Sequence, residues 1–273
     1  MKTLENYTVL YDADCPMCKL YTNTFVKTGM LSENGRASYQ NMPNHVCPYV
    51  DQQRAVNEIA LINNETGEVT YGIKSLFIII GHSFPFFNPL FSSPLFIKIM
   101  SVLYAFVSYN RRIIIPLEQV SENNFTYQPT FKINYRIAYL VFTWFITSII
   151  LNSYSHLLSG IIPSGDFYRE FLICGGQILF QGLIVFSYKK EKTWEYLGNM
   201  MTISFAGSLL LLIPITLNLF ANLNVVFYLI YFLVIVCLML LEHIRRSKLL
   251  NLGWLLTITW ILYRSIVLLI ILN

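Results

Sequence analysis

Charge is what this sequence has least of. Only 12% of its 273 residues are Asp, Glu, Lys or Arg, where a soluble domain carries roughly 25%. There is too little polar surface to keep the whole chain in water. The small net charge of +4 also argues against nucleic acid as a partner. Cysteine is sparse too: five residues, unevenly placed, do not make a secreted disulfide scaffold. Proline nearly vanishes in the second half, with eight of ten before residue 133. Apolar residues are the abundant class at 55%, which excludes intrinsic disorder.

These scarcities divide the chain. Residues 1–132 carry ten Lys/Arg and ten Asp/Glu, whereas residues 133–273 carry nine and five. The second part has uncharged runs over residues 137–165, 171–188 and 196–241, and only Arg264 interrupts the stretch after Lys248. A helix needs about 20 apolar residues to cross a bilayer. The pattern predicts five spans, near residues 134–154, 171–188, 197–217, 224–241 and 252–272. The second is the weakest, because it holds Gly175, Gly176, Gln177, Gln181 and Gly182. Lys and Arg in successive connections number 4, 1, 3, 0, 3 and 0. By the positive-inside rule that alternation predicts a multi-pass protein of the cell membrane, with a cytoplasmic N-terminal half and an extracytoplasmic C-terminus. The polar residues 1–7 give no sign of a cleaved signal peptide.

In the N-terminal half, residues 8–11 read as a buried strand followed by Asp12-Ala13-Asp14-Cys15-Pro16-Met17-Cys18. Pro16 suits the first position of a helix, where its missing N–H costs nothing. Cys15 is then the N-cap and Cys18 lies one turn inside. Residues 37–40 read as a second strand, 58–63 and 69–71 as a hairpin about Asn64-Glu65-Thr66-Gly67, and residues 74–81 as a helix. This β-α-β, β-β-α order, with Cys-x-x-Cys at the mouth of the first helix, is the setting in which a cytosolic CxxC reads as thioredoxin-like. A helix N-terminus lowers a thiol pKa. Cys15 is therefore the expected exposed attacking sulfur and Cys18 the resolving one. Asp12 and Asp14 oppose that field, and Asp12 is alternatively a proton acceptor for Cys18.

The stretch YDADCPMCKLY resembles the signature of the DCC family of thiol-disulfide oxidoreductase-like proteins. Gly35-Arg36, Tyr71-Gly72 and the run from Tyr104 to Asn110-Arg111 are similar to further family positions. The resemblance covers about residues 7–115 and implies a thioredoxin-like α/β domain with Cys15 and Cys18 as the redox pair. Residues 116–132 would be a linker and residues 133–273 an all-α transmembrane bundle. One departure is clear. The proline that faces the CxxC in thioredoxins should precede the third strand, and Ala55-Val56-Asn57-Glu58 has none.

Other features have plainer readings. His45 and Cys47 are zinc-ligand types, but His-Val-Cys alternates along an extended chain, so no metal is expected. Cys174 and Cys237 would lie roughly 15 Å apart in depth, which excludes a relay between them and leaves packing. Gly207 reads as a packing notch, Pro214 as a kink, and His82, His156 and His243 as ordinary. Residues 94–109 are apolar but broken by Lys98; they predict a helix on the redox domain or at the membrane interface, with Phe96, Met100, Leu103 and Val107 on one face. A guanidinium in mid-membrane needs a partner, so Arg264 is read with Gln177 and Gln181. That cluster would hold a quinone head group, an anionic substrate or another subunit, or else act as a structural clamp. No other cofactor is expected. The function expected is a membrane-tethered cytoplasmic thiol-disulfide oxidoreductase served by the bilayer and an integral or thiol-bearing protein partner. The alternative is a transporter-like or assembly protein whose redox-like domain only docks.

Overall fold

A computed structural model describes residues 2–41, 50–116, 129–163, 165–221 and 223–272. The chain forms two compact units, Met1–Tyr135 and Arg136–Asn273. The first is built on a four-stranded sheet of β1 (Tyr7–Tyr11), β2 (Arg36–Ser38), β3 (Ala60–Asn63) and β4 (Val69–Tyr71), in the spatial order β2-β1-β3-β4. β1 and β2 are parallel, with Val9 opposite Arg36, and the helix α1 (Pro16–Lys27) makes the crossover between them. β3 runs antiparallel to both β1 and β4, with Leu61 opposite Val9 and Thr70.

The sheet is covered on both faces, which is why β1 is apolar at successive positions rather than at alternate ones. Val9 and Leu61 pack with Leu4, Leu31, Ile59 and Ile79. Leu10, Ala60 and Ile62 pack the opposite way, against Val50 and Ala55 of the segment that includes the short helix α2 (Gln52–Asn57). After β4 the chain turns into α3 (Ile73–Ser83) through Gly72, at φ +66°. That positive φ calls for glycine; a Cβ there would also push aside the end of the Glu58 side chain.

A short helix α4 (Asn88–Phe91) leads into α5 (Pro94–Ile114), which is 21 residues long and extends beyond the expected end at residue 109. Its expected apolar face is also corrected. Phe96 stacks on Phe77, with ring centroids 5.6 Å apart, and Tyr104, Ser108 and Arg111 continue the packed face through hydrogen bonds. Leu103 and Val107 instead join Leu95, Ile99 and Val102 on the exposed side. Helical spacing from Phe96 reaches Tyr104 and Ser108, so the inner stripe changes from apolar to polar-tipped along the helix.

The second unit holds helices long and apolar enough to cross a membrane. They are α6 (Ile133–Ser155), α7 (Arg169–Tyr188), α8 (Thr193–Asn218), α9 (Val225–Leu249) and α10 (Leu255–Leu272). Five such helices are present among the described residues, or six if Pro85–Phe91 and Pro94–Ile114, bent by 89°, count as one broken span. α5 hydrogen-bonds into the sheet unit and belongs to it. The best apolar window of α9 is only 11% buried within the protein, and Leu172, Leu179 and Leu183 of α7 are all exposed. Such surface suits a lipid bilayer.

The glycines that weaken the second span in sequence are contact points in the structure. Gly175 lies under the Trp144 indole and Gly176 under the Tyr263 hydroxyl. Both rings donate hydrogen bonds to α7 carbonyls: Trp144 Nε1 to Phe171 at 3.0 Å and Tyr263 to Ile173 at 2.8 Å. Gly207 of α8 lies against Met239 of α9, where any Cβ would run into the sulfur. Gly207→Leu is expected to force α8 and α9 apart. Overpacking of this kind costs about 1–3 kcal/mol, which should lower the thermal unfolding midpoint of the purified protein in detergent.

Candidate active site

β1 ends at Tyr11 and the chain turns at once: Cys15 N–H donates to the Asp12 carbonyl at 3.1 Å. Cys15 is extended (φ −92°, ψ 112°) and caps α1, with Pro16 in the first turn. Its sulfur accepts the Cys18 backbone N–H at 3.4 Å. The sequence therefore places one sulfur where backbone donors converge and the other a turn inside the helix. Cys15 and Cys18 are both free thiols.

Two features stabilise charge on Cys15 in addition to the helix terminus. The Cys18 thiol hydrogen-bonds to it, and the Arg111 guanidinium attracts it; burial and Asp12 oppose them, and the net effect lowers the Cys15 pKa to about 6. The same hydrogen bond, with burial, pushes the Cys18 pKa strongly upward. The two thiols are therefore unequal.

Asp12 is fully committed elsewhere. Its buried carboxylate accepts Arg111 Nη2 at 3.0 Å, Gln40 Nε2 at 2.7 Å and the Asp14 N–H at 3.0 Å. Gln40 also accepts the Ala13 N–H at 2.9 Å, which pins the turn. Arg111 in turn donates to the Val56 carbonyl at 2.7 Å. In this arrangement Asp12 is the anchor of a buried cation rather than the proton acceptor for Cys18 that the sequence leaves open. Asp14 is half-buried, and its backbone closes the turn onto Asp12.

One expectation fails. Cys15 is not an exposed sulfur: it is 1% accessible. The cap geometry tucks it under the first turn of α1, against Cys18 and within reach of the Arg111 charge. His45 and Cys47 lie outside the described residues.

In the second unit the expected Arg264–Gln177–Gln181 cluster is divided. Gln181 accepts the Tyr196 hydroxyl at 2.9 Å and donates to Thr259 at 3.2 Å. Tyr196 also meets His243 Nε2 at 3.0 Å, and the other ring nitrogen lies 3.1 Å from Thr257. Gln177 is buried, and neither atom of its amide has a partner. Arg264 lies beside Cys174 and over the Trp260 ring at 5.8 Å. It lines a cavity of about 380 Å³ that neither glutamine reaches. Cys237 is exposed on α9 rather than packed.

Sequence reasoning missed Arg111, Tyr196 and His243. Arg111 had a signal, since it belongs to one of the motifs carrying the family resemblance, but its partner lies 99 residues away. Nothing in the sequence distinguishes His243 from an ordinary border histidine. No family model, curated protein or solved structure matches the chain.

Arg111→Met removes the nearer and more buried of the two cations on Asp12, leaving only Arg112 at 3.9 Å; breaking a buried pair typically costs about 3–5 kcal/mol. The expected outcome is a lower unfolding midpoint. In protein that still folds, the Cys15 alkylation midpoint should also move to higher pH.

Proposed function

We propose that this protein is a membrane-tethered thiol-disulfide oxidoreductase whose redox pair is Cys15 and Cys18. The single observation that carries the reading is the pair of free thiols at the mouth of α1, with Cys15 as the N-cap whose sulfur accepts the Cys18 N–H at 3.4 Å; the direction of the two pKa shifts agrees with it. The sheet order β2-β1-β3-β4 with one parallel pair supports a thioredoxin-like domain. The residues that resemble DCC positions also hold structural posts around the site. Arg36 stacks on Tyr11, Tyr104 accepts the Ile59 N–H, Asn110 donates to the Tyr135 carbonyl and Arg111 pairs with Asp12. The Lys/Arg asymmetry supports a cytoplasmic N-terminal unit, where thiols stay reduced.

In the reaction, the Cys15 thiolate attacks one sulfur of a partner disulfide. That S–S bond breaks, a mixed disulfide forms and one partner thiolate departs. Cys18 gives its proton to the departing thiolate and attacks Cys15, forming the Cys15–Cys18 disulfide and releasing the second partner sulfur as a thiolate. Two electrons pass from the pair to the partner. Because Cys15 is covered, the reading requires local opening of the first turn before attack.

Burial of Cys15 and the absence of proline in residues 55–58 favour a second reading, in which the domain only docks a partner. Thiol trapping across a glutathione series separates the two. The proposal expects a reversible Cys15–Cys18 disulfide, a trapped mixed disulfide in Cys18→Ser and none in Cys15→Ser. Failure of the pair to cycle, or full cellular activity with both cysteines replaced by serine, favours docking.

A lowered pKa means that the thiolate is present above it. The rate of iodoacetamide modification of Cys15 should thus rise through pH about 6 and level off near neutrality. A free cysteine has its midpoint near 8.5.

A further inference from the structure

All five helices of the second unit wall a cavity of about 380 Å³, within the size range of small-molecule sites. Most of the wall is apolar, with Leu151, Leu211, Phe232 and Leu268 among its side chains. Six hydroxyl-bearing and three charged side chains interrupt it. Ser208 already donates to the Phe205 carbonyl at 2.8 Å and lies 3.5 Å from the Thr147 hydroxyl. Arg169 pairs with Glu170 at 2.9 Å and also donates to the Pro163 carbonyl.

Arg264 is left over. It is the tenth of the 18 residues of α10, about 12–14 Å from either end of the helix, so its backbone sits at mid-span. Its Nε is fully buried and has no hydrogen-bond partner among the described residues, while the guanidinium also touches Cys174. The neighbouring Cys174 thiol is a weak, neutral acceptor. With Glu170 committed to Arg169, one positive charge on the cavity wall has no anion. An uncompensated guanidinium at this depth is costly unless something brings it an acceptor.

We propose that the cavity binds a single-chain amphiphile with an anionic head group, of the fatty-carboxylate class. The carboxylate sits on Arg264 and the alkyl chain lies along the apolar wall. A guanidinium presents paired N–H donors that match a carboxylate, and the apolar lining excludes water from the contact and strengthens it. The site owes nothing to the Cys15–Cys18 chemistry and stands or falls separately from it.

The test uses the full chain in phosphatidylcholine nanodiscs with dansyl-undecanoic acid as the probe and empty nanodiscs subtracted. Saturable binding of one probe per chain is expected. Laurate should displace it, and methyl laurate should be at least tenfold weaker. Arg264→Gln should lower affinity at least tenfold and Arg264→Lys should recover part of that loss. Ser208→Phe, which fills the cavity and keeps the cation, should abolish binding. Binding no greater than in empty nanodiscs overturns the proposal. So does displacement by methyl laurate or by a short-chain quinone as effective as that by laurate, because a neutral head group would then suffice. Those competition arms need only the wild-type protein, so the result does not depend on any variant folding.

Discussion

The ion pair between Arg111 and Asp12 organises the N-terminal unit. It joins the last turns of α5 to the turn that follows β1, and both side chains are almost completely buried. A pair so placed is weak evidence for stability, since desolvation opposes the attraction, but losing one partner is severe. Its importance is geometric. Arg111 also holds the Val56 carbonyl, so one guanidinium fixes the relation between the CxxC turn, the approach to β3 and the C-terminal helix of the unit. Asp12 meanwhile receives the Asp14 N–H and the Gln40 amide, and Gln40 holds the Ala13 N–H. The acidic turn that sequence alone sets against a low thiol pKa is thus neutralised by a cation borrowed from far along the chain.

Much of the local structure was legible because it is encoded locally. Pro16 after a strand-ending turn marks the start of α1, and the Asn63–Gly67 turn marks a hairpin. Uncharged runs of about twenty residues mark long apolar helices whatever surrounds them. What escaped depends on contacts between distant residues. The burial of Cys15 depends on how the rest of the unit closes over a cap, and the cap sequence does not record that. The inner face of α5 was misread because tyrosine, serine and arginine packed there by their polar tips, and a search for apolar spacing passes over them. The polar residues of the second unit are grouped otherwise than their helical spacing suggests: Gln181 belongs with Tyr196 and Arg264 does not. Helical spacing places residues on a face without saying which neighbour that face meets.

The second unit manages its polar groups in two ways. Around Tyr196, polar side chains from α7, α8, α9 and α10 satisfy one another, so His243 can be buried at 1% exposure. This closed network rigidifies the bundle. Around Arg264 one buried donor, the Nε, has no partner among the described residues. A buried polar atom without a partner calls for its own explanation, and the contrast between these neighbouring regions is what makes the open one informative.

The way α10 is held has a further consequence. This helix packs chiefly on α7 and α9 and has only 17% of its apolar window buried, so by packing alone it is among the more dispensable parts of the bundle. Yet it provides both a wall of the chamber and its only unspoken-for cation among the described residues. A protein shortened before Leu255 would keep four long apolar helices and lose one wall of this half-open cavity together with its charge in a single cut.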